Sequence, residues 1–128
     1  MERVTGIGGV FFKAGGDLGA SLGWYRDHLG VDPEEWGGVV FTWAQKDRDG
    51  NGSTTWSIFP ADTSYFGEPG SAYMINYRVE NLDRMLEQLR AAGVQVDDRV
   101  EESEYGRFGW AVDLDGNRFE LWQPAPGL

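Results

Sequence analysis

No cysteine occurs among the 128 residues. That excludes disulfides, thiolate nucleophiles and every zinc or iron–sulfur site built on sulfur. Histidine is nearly absent as well. His28 stands alone, so no two-histidine metal motif exists, and a Ser-His-Asp arrangement would need a residue late in a predicted helix. The ordinary role of a histidine there is a cation favoured by the helix dipole. Basic residues are scarce too: 11 Lys and Arg face 21 Asp and Glu, a net charge of −10. The phosphate-neutralising surface that nucleic acid requires is missing. The same acidity argues against docking on anionic membranes, and no apolar run nears the ~20 residues of a spanning helix. Near the N-terminus only Ile7–Phe12 is continuously apolar before Lys13. That is too short for a secretory segment, so a cytoplasmic location is expected.

Glycine is in excess, with 19 scattered copies. Such usage is roughly twice the norm and implies many turns and close backbone approaches. Hydrophobic residues at 41% and charged residues at 25% are otherwise those of an ordinary globular protein.

Along the chain one unit is written twice. A strand pattern over Val4–Lys13 leads to Asp17, which can cap a helix carrying Leu18, Leu22, Tyr25 and Leu29 up to Gly30. Strands over Val39–Gln45 and Thr54–Phe59 follow, then a linker at Glu68–Ser71. The pattern restarts with a strand at Tyr73–Val79. Asn81 caps a helix with Leu82, Met85, Leu86 and Leu89 on one face, closed by Gly93. Strands at about Val94–Val100, Phe108–Leu114 and Arg118–Trp122 complete the unit, the last two joined by a turn at Asp115-Gly116. The helix ends Gly30 and Gly93 lie 63 positions apart, as do the strand ends Phe59 and Trp122. The expected fold is therefore α+β: two βαβββ modules, about residues 4–66 and 71–124, within one domain spanning 1–128. Curved mixed sheets would enclose a shared cleft, with the helices outside.

The order strand, "SLGWYRDHLGV", paired strands, "YMINYRVENLDRMLEQLRAAGV", "YGRFGWAVDLDGNRFELWQP" resembles the vicinal oxygen chelate superfamily of glyoxalases, bleomycin-resistance proteins and extradiol dioxygenases. In its metal-using members, side chains from the first and last strands of each module converge on one divalent ion. Carried onto this chain, the resemblance places those positions at Gly9, Ser57, Met74 and Glu120. Only Glu120 is a good ligand for such an ion. No metal and no cofactor are expected on this reading. A homodimer is, because the resemblance implies pairing and a curved sheet leaves edges to cover.

If the inherited positions face inward, alternation adds Phe11, Phe59, Asn76, Trp122 and Arg78 to the cleft. It turns Val10, Phe12, Ile75, Tyr77, Val79, Phe119 and Leu121 toward the helices. Tyr105 and Arg107 would stand on the rim. A large aromatic core would use the same residues without a ligand. Glu120 among aromatics must pair with Arg78 or Arg107, keep its proton, or await a ligand. A two-residue turn at Asp115-Gly116 would set it opposite Ala111.

The leading expectation is a metal-independent protein that binds an apolar, aromatic or cationic small molecule in the cleft. The rival is a lyase, isomerase or dioxygenase-like enzyme using Glu120 as acid or base, or a weakly held metal. An interaction module with a closed core is a third class. The stretch Asp47–Gly52 matches the first half of a calcium loop, but its twelfth position is Ile58 rather than a carboxylate.

Overall fold

A computed structural model describes residues 1–43, 52–67 and 70–128. Of the calcium-like stretch only Gly52 falls within the described residues, and Glu68 and Pro69 of the expected linker lie outside them. The elements are β1 (Val4–Lys13), α1 (Leu18–Leu29), β2 (Gly38–Thr42), β3 (Ser53–Phe59), β4 (Tyr73–Val79), α2 (Leu82–Ala91), β5 (Glu101–Ser103), β6 (Gly106–Val112) and β7 (Arg118–Pro124). The strands form one curled mixed sheet in the order β2-β3-β1-β4-β7-β6-β5. At its centre β1 and β4 run antiparallel, and each pairs in parallel with the last strand of its own half, β3 and β7. This is the α+β architecture expected from the duplication, with helices on one face and a cleft on the other.

The halves are less alike than two βαβββ units. Among the described residues the first has three strands. Its segment Val31–Gly37, the counterpart of Val94–Val100, carries Pro33, which has no ladder donor, and turns back through Gly37 N–H to Glu34 carbonyl at 2.9 Å. Nor is Val94–Val100 a continuous strand. Val96 bridges Ala111, and the ladder resumes at Glu101↔Phe108 with two extra residues between. The polar run Asp97-Asp98-Arg99 supplies that bulge, with Asp97 turned to Arg118 at 3.0 Å and Arg99 over the Trp110 ring at 4.5 Å.

Both helices begin as their sequences imply. The Asp17 carboxylate accepts from Ala20 N–H at 2.9 Å, and the Asn81 side chain from Arg84 N–H at 3.0 Å. Their packing differs. Leu82, Met85 and Leu86 of α2 are buried with Val79 and Leu121, flanked by Tyr77 and Phe119. No residue of α1 is buried, and Val10 beneath the helix layer remains 39% exposed. The cause is local: Gly19, Ala20, Ser21 and Gly23 thin the apolar stripe of α1. His28 sits in the last turn of α1 beside the Trp24 ring. No described helix is long and apolar enough to cross a membrane.

Candidate functional site

Register on the concave face decides which side chains meet. In the first half Phe11 lies level with Ser57, and in the second Asn76 lies level with Glu120. Across the final hairpin Trp110 opposes Glu120, and Phe108 opposes Trp122. Ala111, the partner expected from a two-residue turn, instead opposes Phe119. The loop has three residues, Leu114–Gly116. Asp113 N–H bonds the Asn117 carbonyl at 2.9 Å, and Gly116 takes the left-handed φ of 87° that such a loop requires. That single-residue change puts an indole, rather than a methyl group, beside the carboxylate.

Glu120 is 2% exposed. Its Oε2 accepts from the Tyr65 hydroxyl and from Trp110 Nε1 at 2.9 Å, and its Oε1 accepts from Asn76 Nδ2 at 2.6 Å. Neither expected cation reaches it. Arg107 bonds Asp83 at 2.9 Å and Glu102 at 3.0 Å on the far side of the rim. Arg78 donates to the Ser53 carbonyl and to a backbone oxygen of Leu128. Among the described residues no Lys or Arg pairs with Glu120. Burial pushes its carboxyl above the ordinary range, against the pull of its three donors. Burial, then the neighbouring Glu120, likewise drives the Tyr65 hydroxyl upward. Together these groups form a carboxyl site that holds its proton more tightly than usual. One acceptor position on Oε1 is left over from the roughly four of a carboxylate.

The carboxyl lies at a cavity of about 230 Å³. Of the residues expected there, Phe11, Ser57, Phe59, Asn76, Tyr105, Glu120 and Trp122 line it. Met74, Arg78 and Arg107 do not. Met74 is fully buried at the closed end among Phe11, Phe66 and Trp110, and its long apolar side chain fills core rather than facing space. Arg107 is held outward by its two carboxylates. Sequence reasoning missed Trp36, Val40, Thr55, Tyr65, Glu101 and Phe108 on the wall, and Trp110 behind Glu120. Tyr65 sits in the turn after β3, where no periodicity marks orientation, while Phe108 and Trp110 depended on the hairpin register. Tyr65 stacks on Phe59 at 5.3 Å and Phe108 on Trp122 at 6.0 Å, so two pairs of stacked rings line the cavity.

Gly8 makes this packing possible. A Cβ there would stand 2.1 Å from Asn76 Oδ1 and 2.8 Å from the Trp122 ring. Only a bare backbone leaves room for both. Asn76 Oδ1, seated against Gly8, has no hydrogen-bond partner among the described residues.

The donor set does not fit the divalent ion that the resemblance implies. Gly9 has no side chain, Met74 is a soft thioether sealed in the core, and the residues level with Ser57 and Glu120 are Phe11 and Asn76. Among the described residues no three His, Asp or Glu side chains gather where one ion could bind them.

The family model described as Glyoxalase/Bleomycin resistance protein/Dioxygenase superfamily matches residues 10–121. The chain belongs to this superfamily. No curated protein matches it. Among solved structures, the methylmalonyl-CoA epimerase of Mycobacterium tuberculosis aligns with a TM-score of 0.65 at 24% identity, over 96% of this chain and 90% of that one. A Streptomyces coelicolor methylmalonyl-CoA epimerase variant in complex with 2-nitronate-propionyl-CoA aligns at 0.68 and 20% identity, over 97% of each chain. A structure described as an NAD-dependent benzaldehyde dehydrogenase from Legionella pneumophila aligns at 0.55 and 15% identity, over 89% of this chain and 96% of that one. At these identities the likeness is one of fold, and a superfamily fold hosts many activities.

Proposed function

We infer that this superfamily member binds a small organic cation with an apolar body in the aromatic cleft, without a metal, with Glu120 as its polar anchor. One observation carries the reading: a buried carboxyl, with no cation partner among the described residues, lines an aromatic cavity. A ligand ammonium supplies the missing charge, and the ring faces suit a cation and its apolar body. The cavity exceeds the ~150 Å³ apolar void that holds benzene in an engineered protein, so a single ring with a short charged arm is of suitable size. Glu101 on the rim and the net charge of −10 favour approach of cations. The reading takes residues 1–128 as one domain, with modules over about 4–66 and 71–124.

Calorimetry with benzylammonium and its neutral analogue benzyl alcohol tests it. The cation should bind the wild type more tightly than the alcohol, and Glu120→Gln should weaken the cation by about 1.5–3 kcal/mol while sparing the alcohol. Equal binding of the two probes by the wild type would contradict the reading.

Proton transfer to an enolisable substrate is the second reading, favoured by the hydroxyl of Tyr65 and the carboxyl of Glu120 sharing one hydrogen bond beside the cavity. Enzyme-dependent exchange of a substrate C–H with solvent deuterium, lost in Glu120→Gln, would support it. Retention of that exchange in the variant would remove Glu120 from the chemistry.

A further inference from the structure

Two rows of residues cross the concave face, and they carry different polar groups. In one row Thr55, Gly9, Asn76 and Glu120 stand level, so β3 ends the row that begins at the carboxyl. In the adjoining row Gly38, Ser57, Phe11 and Met74 stand level. Alternation turns Thr55, Ser57 and Phe59 of β3 to the same face, and all three line the cavity of about 230 Å³.

Ser57 is the polar residue in this wall that the carboxyl site does not use. It is 3% exposed. Its hydroxyl has no hydrogen-bond partner among the described residues, and among them the sealed polar atom without a partner is Asn76 Oδ1. The Ser57 hydroxyl therefore opens onto the cavity that the residue lines. Its neighbours are apolar. A Cβ on Gly38 would stand 2.2 Å from the Trp36 ring, so the indole lies over bare backbone beside Ser57. Trp36 Nε1, the one polar atom of that indole, is taken by Glu34 at 2.6 Å. On the other side the Phe11 and Phe59 rings pack at 5.6 Å. A hydroxyl in such a wall is costly once an apolar group covers it, and an alanine would fill the same place without that cost.

The charge of the cavity selects the partner of this hydroxyl. Glu101 and Glu120 carry carboxyls, and no Lys or Arg is among the described lining residues. A ligand anion is repelled from that space, whereas a neutral oxygen is not. A ligand hydroxyl both donates and accepts, as the serine hydroxyl does.

We propose that Ser57 binds a ring hydroxyl of the ligand, so that the cleft selects a hydroxyaryl ammonium compound with its cation on Glu120. The proposal rests on the cation reading of the cleft and adds a second polar anchor to it. The reach is suitable. Three strand spacings separate β3 from β7, about 14 Å along the sheet, and the curl brings inward side chains closer than their backbones. One ring with a one-carbon ammonium arm and a ring hydroxyl, hydrogen-bonded at both ends, spans about 12 Å. A ring seated against Ser57 excludes solvent from its hydroxyl, so a ligand without a polar atom there leaves that group buried and unpaired. Selectivity comes from rejecting such analogues.

The test is calorimetry on the full chain with 3-hydroxy- and 4-hydroxybenzylammonium and the methyl compounds of matching shape. At least one hydroxy probe should bind the wild type about three- to tenfold more tightly than the methyl probe substituted at the same position. In Ser57→Ala that preference should disappear. Equal or weaker binding of both hydroxy probes by the wild type, or a preference that survives in Ser57→Ala, would overturn the proposal. The wild-type comparison needs no variant, so it decides the matter even if Ser57→Ala does not fold. Failure of the cation reading has a different sign, because benzylammonium and benzyl alcohol then bind equally. The hydroxy and methyl derivatives of benzyl alcohol still report on Ser57 in that case: a preference for hydroxyl supports its role, and equal binding overturns it.

Discussion

Burial of the Glu120 carboxyl among aromatic rings, with no Lys or Arg partner among the described residues, disfavours its charged form. Burial raises the proton affinity of Glu120 in the native state above that of the unfolded chain, where a glutamate titrates near pH ~4.3. Between those two values the native state binds more protons, so stability falls as pH rises. It is level below the ordinary carboxyl range and levels again above the raised native value. Glu120→Gln removes this slope. Its amide oxygen can accept from Trp110 and Tyr65 if the Asn76 amide turns to accept from its NH2. Urea denaturation of both proteins from about pH 4 upward should show the stability difference moving in favour of the variant; parallel curves would contradict it. Ligand binding has the opposite sign, because a cation needs the ionised carboxylate. Benzylammonium affinity should rise with pH through the same window in the wild type and stay flat in Glu120→Gln. Gly8→Ala tests the support of the site. Its Cβ would collide with Asn76 Oδ1 and the Trp122 ring, so a loss of about 1–3 kcal/mol in denaturation, with weaker ligand binding, is expected.

The two helices occupy corresponding places in their halves but differ in what they hold. Leu86 is 2% exposed in the α2 cluster, whereas α1 has no buried residue. Leu86→Ala should cost about 2–5 kcal/mol, and Leu22→Ala about 1 kcal/mol or less, in thermal or urea unfolding. Equal losses would mean that α1 packs more tightly than its small-residue sequence permits. These helices and most of the strands were legible because caps, apolar spacing and the 63-residue repeat agree with one another. What was not legible depended on single-residue choices. Whether the Asp113–Asn117 loop has two or three free residues decides if Ala111 or Trp110 faces Glu120, and both versions suit the same letters. Alternation placed Phe11, Asn76, Glu120 and Trp122 on the inner face, but it could not separate Met74 in the sealed end from Asn76 in the cavity. Tyr65 needed the path of a turn, which no periodic signal describes.

At the scale of the molecule, one seven-stranded sheet joins both halves through β1 and β4, and its concave face holds the carboxyl. Its outer face leaves Ile7 44% and Tyr73 54% exposed on those central strands, and β2 and β5 end the sheet. A second copy covering such surfaces would give a homodimer. Light scattering should then return twice 14.3 kDa, and the single mass would contradict pairing. The net charge of −10 acts over the same scale, so added salt should slow capture of a cation more than capture of a neutral analogue. We propose that a ligand cation compensates the Glu120 carboxyl, for which the described residues provide no Lys or Arg partner. The decisive measurement follows the Glu120 side-chain carboxyl carbon by nuclear magnetic resonance across pH, with and without saturating benzylammonium. The free protein should titrate above the ordinary carboxyl range, and the cation should displace that titration downward. A titration at or below the ordinary range in the free protein, or one that saturating cation does not move, would contradict it.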